Sequence, residues 1–366
     1  MGAIAAEVCR PADLGPADVD RWHGFMGASQ ELVNPFVGPE LARAVGDVRA
    51  DAFVAVVLQD GQVAGYFPFL RGRRRTAMPI SGALGTSQAF VHRPGLAWSW
   101  AGIAAAAGLA AVDLSYLVGS QATGGTFRML PSPVVDTAGG FDAYLARVGA
   151  RKFLKTVLYK QRKLERDVGV VDVHFGAPDA DGVAALMRWK SDQYRRTGRR
   201  DPFAQRWVRD LVERLLAEDG PWLRPVFSAV RAGGTLVAVD LSLRCQAVLG
   251  CWFGAYDPAF GAYSPGAVRT LRMIEAAAAA GIGRLELSAG DEVYKHEWKT
   301  GDGVVADGYV VVPGPAAAAR RVARSGRAAA RHRLLASPRL RSAVRRSLLQ
   351  VGSLRTTVLP RARWER

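Results

Sequence analysis

Cysteine and histidine are both scarce in this chain of 366 residues, with three of the first and five of the second. Cys9, Cys245 and Cys251 make no CxxC spacing and no even pairing. That excludes a disulfide framework and fits a reducing compartment. His23, His92, His174, His296 and His332 form neither an HExxH pair nor a Cys/His cluster, so no metal site is expected. Long apolar runs are missing as well. The longest, residues 101–112, is mostly alanine and is closed by Asp113, well short of the roughly 20 residues that a membrane span needs. The start of the chain, with Glu7 and Asp13 among prolines and glycines, has no basic n-region or apolar h-region, so no secretory leader is expected there. These absences point to a cytoplasmic protein.

Acidic residues are nearly absent from the last fifty positions. The net charge is +16, and residues 316–366 carry fourteen Arg against one Glu, hence thirteen of those charges. The rest is close to neutral, so the pI of 10.4 does not make the core a nucleic-acid binder. Leu334, Leu335, Leu340, Val344, Leu348 and Leu349 lie among the arginines. They could form an amphipathic helix resting on an anionic membrane, which would put the protein at the inner membrane face. The other reading is a partly disordered basic extension, a composition that also suits nonspecific RNA contact.

The remaining composition, 49% apolar and 22% charged, is globular and long enough for one large domain or two ordinary ones. The most informative stretch runs from Pro225 to Trp298. Val226 to Arg231, Thr235 to Arg244 and Val248 to Tyr256 read as three strands, the first two joined by the turn Gly233-Gly234. Tyr263-Ser264-Pro265-Gly266 opens a helix with Ser264 as N-cap and Pro265 in the first turn, and Gly281 stops it. A strand, Arg284 to Ser288, follows. Strand, crossover helix and strand imply parallel pairing. The helix start presents backbone amides to an anion, with Ser264, Gly266 and Ala267 as the best donors.

The same order occurs earlier. Residues 11–50 read as helical. Phe53 to Val57, the turn Asp60-Gly61, Val63 to Tyr66, a small-residue loop after the run Arg71 to Arg75, an alanine helix over 99–111 and Val112 to Ser115 match the later series at a spacing of roughly 170 residues. Two diverged copies of one α/β unit are expected. Between them, 141–220 reads as largely helical and includes a basic helix with Lys152, Lys155, Lys160, Arg162, Lys163 and Arg166. That helix is either a solvated face or a wall of positive charge for phosphates. Trp189 and Tyr194 follow, as core aromatics or as a substrate platform. A last strand covers 304–312.

Tyr256-Asp257-Pro258, Tyr263-Ser264-Pro265-Gly266, and Gly290-Asp291 followed by Tyr294-Lys295 and Trp298, taken in order and spacing, resemble one family. It is the GNAT-fold acetyltransferases of the CelD/BcsL (cellulose-biosynthesis) type, relatives of the FemABX peptidyltransferases. The resemblance extends through Phe141 to Leu145, Arg151 to Arg166 and Leu186 to Tyr194, and is loose before that. It implies a tandem GNAT-like α/β (α+β) fold with two mixed sheets flanked by helices. The expected domains are 1–140, 141–315 and the basic tail 316–366. It also implies acyl transfer from acetyl-CoA or another acyl-CoA to a sugar or polysaccharide precursor.

Acyl transfer needs a base for the acceptor, a stabilised oxyanion and a proton for the departing thiolate. Asp291 and Glu292, just past the strand tip, are candidates for general base or hydroxyl binder, or else a solvated turn. Tyr294 could protonate the thiolate, and Lys295 could pair with a phosphate or with a nearby carboxylate; the Tyr-Lys motif favours function for both. Glu286 shares a strand face with Ser288 and ranks behind them. Asp240 shares a face with Ser242 and Arg244 that either lines a cleft or, as the safer expectation, meets water. With Trp189, Tyr194 and Tyr263 it completes the substrate-binding candidates. The chain departs from the usual GNAT fingerprint, Arg or Gln followed after two residues by Gly-x-Gly or Gly-x-Ala. FemABX relatives depart from it too and take aminoacyl-tRNA, so a tRNA-dependent transferase gripping phosphates with the 152–166 helix is a second reading. A non-catalytic adaptor that binds a glycan and rests on membrane is a third.

Overall fold

The computed structural model describes residues 4–149, 151–290, 292–314 and Ala317. Asp291 and the arginine-rich stretch from 318 onward, including the amphipathic helix expected there, lie outside the described residues. Met1–Lys190 with Phe203–Val312 form one compact unit; Ser191–Pro202 group with Pro313–Arg366 as another.

The first series comprises β1 (Ile4–Cys9), α1 (Pro16–Gly27), α2 (Pro39–Val48), β2 (Ala52–Gln59), β3 (Gln62–Gly72), β4 (Thr76–Pro79), β5 (Val91–His92), α3 (Trp100–Ala106), β6 (Ala111–Val118) and β7 (Thr126–Asp136). Helices α4 (Phe141–Val148) and α5 (Lys152–Asp167) lead to the second series. That comprises β8 (Val171–Gly176), α6 (Ala180–Arg196), α7 (Arg206–Leu216), β9 (Arg224–Ala232), β10 (Thr235–Cys245), β11 (Val248–Tyr256), α8 (Pro265–Ala279), β12 (Arg284–Glu286), α9 (Val293–Trp298) and β13 (Gly301–Val311).

Sheet order makes the duplication explicit. It runs β1-β2-β3-β4-β6-β13-β7-β12-β11-β10-β9-β8, with β5 paired to β3. When β1, β2, β3, β4, β6 and β7 are matched with β8, β9, β10, β11, β12 and β13, the order reads the same from either end. Only β4 with β6 and β11 with β12 are parallel among the strand pairs, and each pair is joined across a helix. Both opening hairpins use two consecutive left-handed residues, Asp60-Gly61 and Gly233-Gly234, which suits the twist of antiparallel strands.

The expected two sheets are in fact one continuous sheet of thirteen strands. The last strand of each series crosses to the other: β13 pairs with β6 as well as β7, and β7 pairs with β12. Strand β7 is not visible in the sequence because Pro131 and Pro133 interrupt it, although a proline in a central strand is unusual. Strand β8 interrupts the block expected to be helical. The alanine helix ends at Ala106, earlier than expected, because Gly108 turns left-handed at φ 67°.

Each series closes its own core. Phe67, Phe69, Trp100 and Ile103 pack together in the first. Leu249, Leu271, Ile274, Leu285 and Trp298 pack in the second. Burying each such side chain contributes about 1.5–3 kcal/mol. In the second core, Tyr144 donates from its hydroxyl to the Trp298 carbonyl at 3.2 Å, tying α4 to the end of α9.

Candidate active site

Strands β11 and β12 pair only from Val248↔Arg284 to Gly250↔Glu286. Beyond that point β11 continues to Tyr256, whereas Leu287 donates its amide to Pro133 of β7. The parallel strands therefore part, leaving a wedge at their carboxyl ends. On the other side of β11 the register slips by one residue, so that Leu241 faces Phe253 and Ser242 faces Cys251. Trp252 is the extra residue of this bulge, a device that re-aims side chains. Its indole N–H donates to the Leu84 carbonyl at 2.8 Å, which joins the wedge to the first series.

Helix α8 starts beside the end of β11. Ser264 is the N-cap but sits left-handed at φ 52° with no capping bond from its side chain. Its carbonyl accepts from Ala267 at 2.9 Å and Val268 at 3.2 Å, and its own amide donates to Gly261 at 3.1 Å. The amides of Ser264 and Ala267 are thus used within the turn. Pro265 has none, so Gly266 keeps the amide without a backbone partner among the described residues. An added Cβ at Gly266 would meet the Tyr256 ring at 3.4 Å, which is ordinary contact.

The basic helix α5 lies against this same turn. Lys160 donates to the Ala262 carbonyl at 2.7 Å. The Lys163 ammonium lies 5.5 Å from the centre of the Tyr263 ring. Tyr263 itself donates to Asp167 at 3.3 Å, so it anchors α5. Lys152, Lys155, Arg162 and Arg166 remain exposed. The turn therefore meets lysines on one side, while further positive charge faces outward from the same helix.

Beneath the turn, Asp240 does not face water. It is 3% exposed and pairs with Arg269 of α8 at 3.2 Å. Ser242 donates to its other oxygen at 2.5 Å. Burial raises the Asp240 carboxyl above its ordinary range, opposed by Arg269, Ser242 and Lys190. Arg269 also donates to the Val239 carbonyl at 3.1 Å. Gly254 makes this possible: a Cβ there would lie 2.0 Å from Arg269 Nη1 and 2.9 Å from Asp240 Oδ2. Lys190, next to the half-buried Trp189, donates to the Gly254 carbonyl at 3.0 Å. Burial first, then Asp240, push the Cys251 thiol up, so it is no thiolate nucleophile.

A match to a family profile fits this geometry. Residues 151–296, from α5 through most of α9, match the Acetyltransferase (GNAT) domain. That stretch, about two fifths of the chain, resembles a GNAT domain. A comparison with curated proteins finds no match. Among solved structures, FemX is similar at a TM-score of 0.55 and 11% identity, over 84% of this chain and 97% of FemX. The C-terminal domain (DUF2156) of a protein assigned as a lysylphosphatidylglycerol synthetase from Agrobacterium fabrum is similar at a TM-score of 0.50 and 12% identity, over 84% of this chain and 94% of that domain. At these identities the likeness is one of fold, and the fold is a doubled GNAT fold.

The other expected residues divide around the GNAT wedge. Tyr294 is half exposed; its phenol is raised by partial burial first and Glu292 second, against Arg269. Glu292 is open to solvent and pairs with Lys295 at 3.0 Å. Lys295 is 4% exposed and donates to the carbonyls of Ser288 at 3.1 Å and Ala289 at 3.2 Å. Of the two readings of Lys295, the geometry matches pairing with a nearby carboxylate: it braces the loop after β12. Glu286 takes Asn34 Nδ2 at 2.5 Å and Arg284 Nη2 at 3.0 Å. Burial is the main cause of its raised carboxyl. Tyr194 belongs to the Ser191–Pro202 unit, where burial raises its phenol. No group of metal-ligating side chains occurs among the described residues.

Sequence reading missed Arg269, Lys190 and Asn34. A signal for the first existed: Asp240 and Ser242 alternate on a strand flanked on both sides by other strands in the sequence, where a buried carboxylate calls for a cation from the covering helix.

Proposed function

We propose that the chain is an acyltransferase that moves an acetyl or other acyl group from acyl-CoA to an amine or hydroxyl of a sugar, a polysaccharide precursor or a similar small acceptor. The observation carrying this reading is the wedge between β11 and β12 opening beside the Gly266 amide and the lysines of α5. A thioester needs a slot for its extended chain and donors for its phosphates, and both occur together here.

The acceptor loses a proton to a carboxylate, for which Glu286, Glu292 and Asp291 are the candidates. Burial raises the Glu286 carboxyl above its ordinary range, opposed by Arg284 and Asn34, the direction in which a general base is tuned. The freed lone pair attacks the thioester carbon, the tetrahedral intermediate collapses, and the C–S bond breaks. Tyr294, whose phenol is raised and therefore stays protonated at neutral pH, gives its proton to the leaving thiolate. Exchange with solvent then restores both groups. Thiol release from acetyl-CoA in the presence of amino-sugar and polyol acceptors tests this. Tyr294→Phe should lower kcat by 10²–10⁴, roughly the range for loss of a general acid. No release with any acceptor from a folded protein would favour the non-catalytic adaptor.

The acceptor class rests on the resemblance to the CelD/BcsL family. One observation supports a different donor. The outward charges Lys152, Lys155, Arg162 and Arg166 exceed what one pyrophosphate uses, and would suit an aminoacyl-tRNA. Salt-sensitive tRNA binding, lost when those four are neutralised, would favour that reading. No helix among the described residues is long and apolar enough to cross a membrane. A cytoplasmic site of action, with the arginine tail resting on anionic lipid at the inner membrane face, is part of the proposal; liposome flotation with and without 316–366 tests it.

A further inference from the structure

Acyl transfer at the second series leaves a cavity in the first unused. It measures about 250 Å³ and opens between the end of α1, the loop after β5 and the turn after β6. Phe25, Leu32, His92 and Trp98 form its apolar walls, and Glu31 is the one charged residue among those lining it. Trp98 precedes the N-cap of α3 as Tyr263 precedes that of α8, but the chemistry around it is the opposite.

Nothing here suits a phosphate. Ser99 Oγ accepts from the Gly102 amide at 3.1 Å, which closes the start of α3. No lysine or arginine lines the walls; Arg93, next to His92, turns to Gln59. Hydrogen bonding fixes the tautomer of His92. The Trp98 indole can only donate, so His92 Nε2, 3.1 Å away, must accept. The proton is then on Nδ1, donating to the Arg93 carbonyl at 2.8 Å. The Trp98 plane is fixed edge-on by Phe90 at 75° and Trp100 at 87°. Glu31 Oε2 accepts from Ser120 at 2.6 Å, which orients the carboxylate and leaves its other oxygen without a protein partner among the described residues.

A fixed aromatic wall facing a single oriented carboxylate selects a cation with a compact carbon body. We propose that this cavity binds a small organic ammonium ion of up to about hexose size, with its positive charge at Glu31 and its carbon skeleton against Trp98. The inference is independent of the acyl-transfer reading, because it concerns a different half and needs no turnover.

The test is calorimetric titration of the full chain with glucosamine, choline, glucose and N-acetylglucosamine. Glucosamine and choline should bind saturably, and the two neutral sugars should not. Glu31→Gln, at an exposed position where the fold is not at stake, should weaken glucosamine binding by on the order of tenfold or more. Trp98→Leu should weaken choline and glucosamine together. Equal affinity for glucose and glucosamine, unchanged affinity in Glu31→Gln, or no saturable heat with any probe would overturn the proposal.

Discussion

At the scale of single residues, Gly254 decides whether the Asp240–Arg269 pair can exist. With a Cβ 2.0 Å from Arg269 Nη1, Gly254→Ala must displace a buried guanidinium. Overpacking and disruption of the pair's geometry should lower stability by about 1–3 kcal/mol, read as a shift in the urea midpoint at constant slope. Asp240→Asn should cost about 3–5 kcal/mol, because Arg269 would be left buried without its counter-charge; a neutral outcome would mean that water already reaches the pair. Two fully buried phenols contribute to the alkaline limit. Burial raises Tyr66 and Tyr144 from 10.0 to about 12. A folded-state value above the unfolded one means that the unfolded chain ionises first. Their contribution is therefore whole below pH 10.0 and is lost as pH rises toward about 12, up to about 3 kcal/mol for each. Tyr144→Phe should cost about 1 kcal/mol at neutral pH by losing the bond to the Trp298 carbonyl, and should flatten the alkaline decline. Equal slopes above pH 10 in wild type and variant would contradict this.

At the scale of elements, α5 holds both donor readings, and its residues separate them. Lys160 and Lys163 contact the turn before α8, whereas Lys152, Lys155, Arg162 and Arg166 are exposed along the helix. Neutralising the first two should weaken acyl-CoA binding by roughly ten- to hundredfold for each lysine that holds a phosphate, about 1.5–3 kcal/mol in a charged hydrogen bond. Neutralising the other four should leave acyl-CoA binding unchanged. The elements also mark what was legible in the sequence. The hairpins at Asp60-Gly61 and Gly233-Gly234, the SPG turn and the helix after it could all be read, because turn chemistry and hydrophobic period act locally. Strand β7 could not, since its pairing with β12 and β13 comes from partners over a hundred residues away and overrides its prolines. Asp240 shows the same limit within the site. Alternation put it on a polar face, but only the arrival of Arg269 from α8 shows that face to be buried and paired. Gly266, Tyr294 and Glu286 were readable as residue types, while their division of labour with Lys295 depended on the loop after β12.

At the scale of the whole molecule, the crossing of β7 and β13 joins two copies of one unit into a single sheet. Neither copy can complete its sheet alone: β6 needs β13, and β12 needs β7. Urea unfolding should therefore give one transition, with tryptophan fluorescence and far-ultraviolet circular dichroism coinciding. A chain ending before Gly301 should lose the first series as well as the second; two separated transitions would contradict the crossover. The doubling also leaves each series with a cleft of its own, one proposed to take an acyl donor and the other a small cation. The proposed acyl-donor binding rests on the first of them. Calorimetric titration of acetyl-CoA into the protein and into Gly266→Val tests it directly. Saturable binding that the added side chain abolishes is the predicted result; binding of equal strength in both proteins, or none in either, would contradict it.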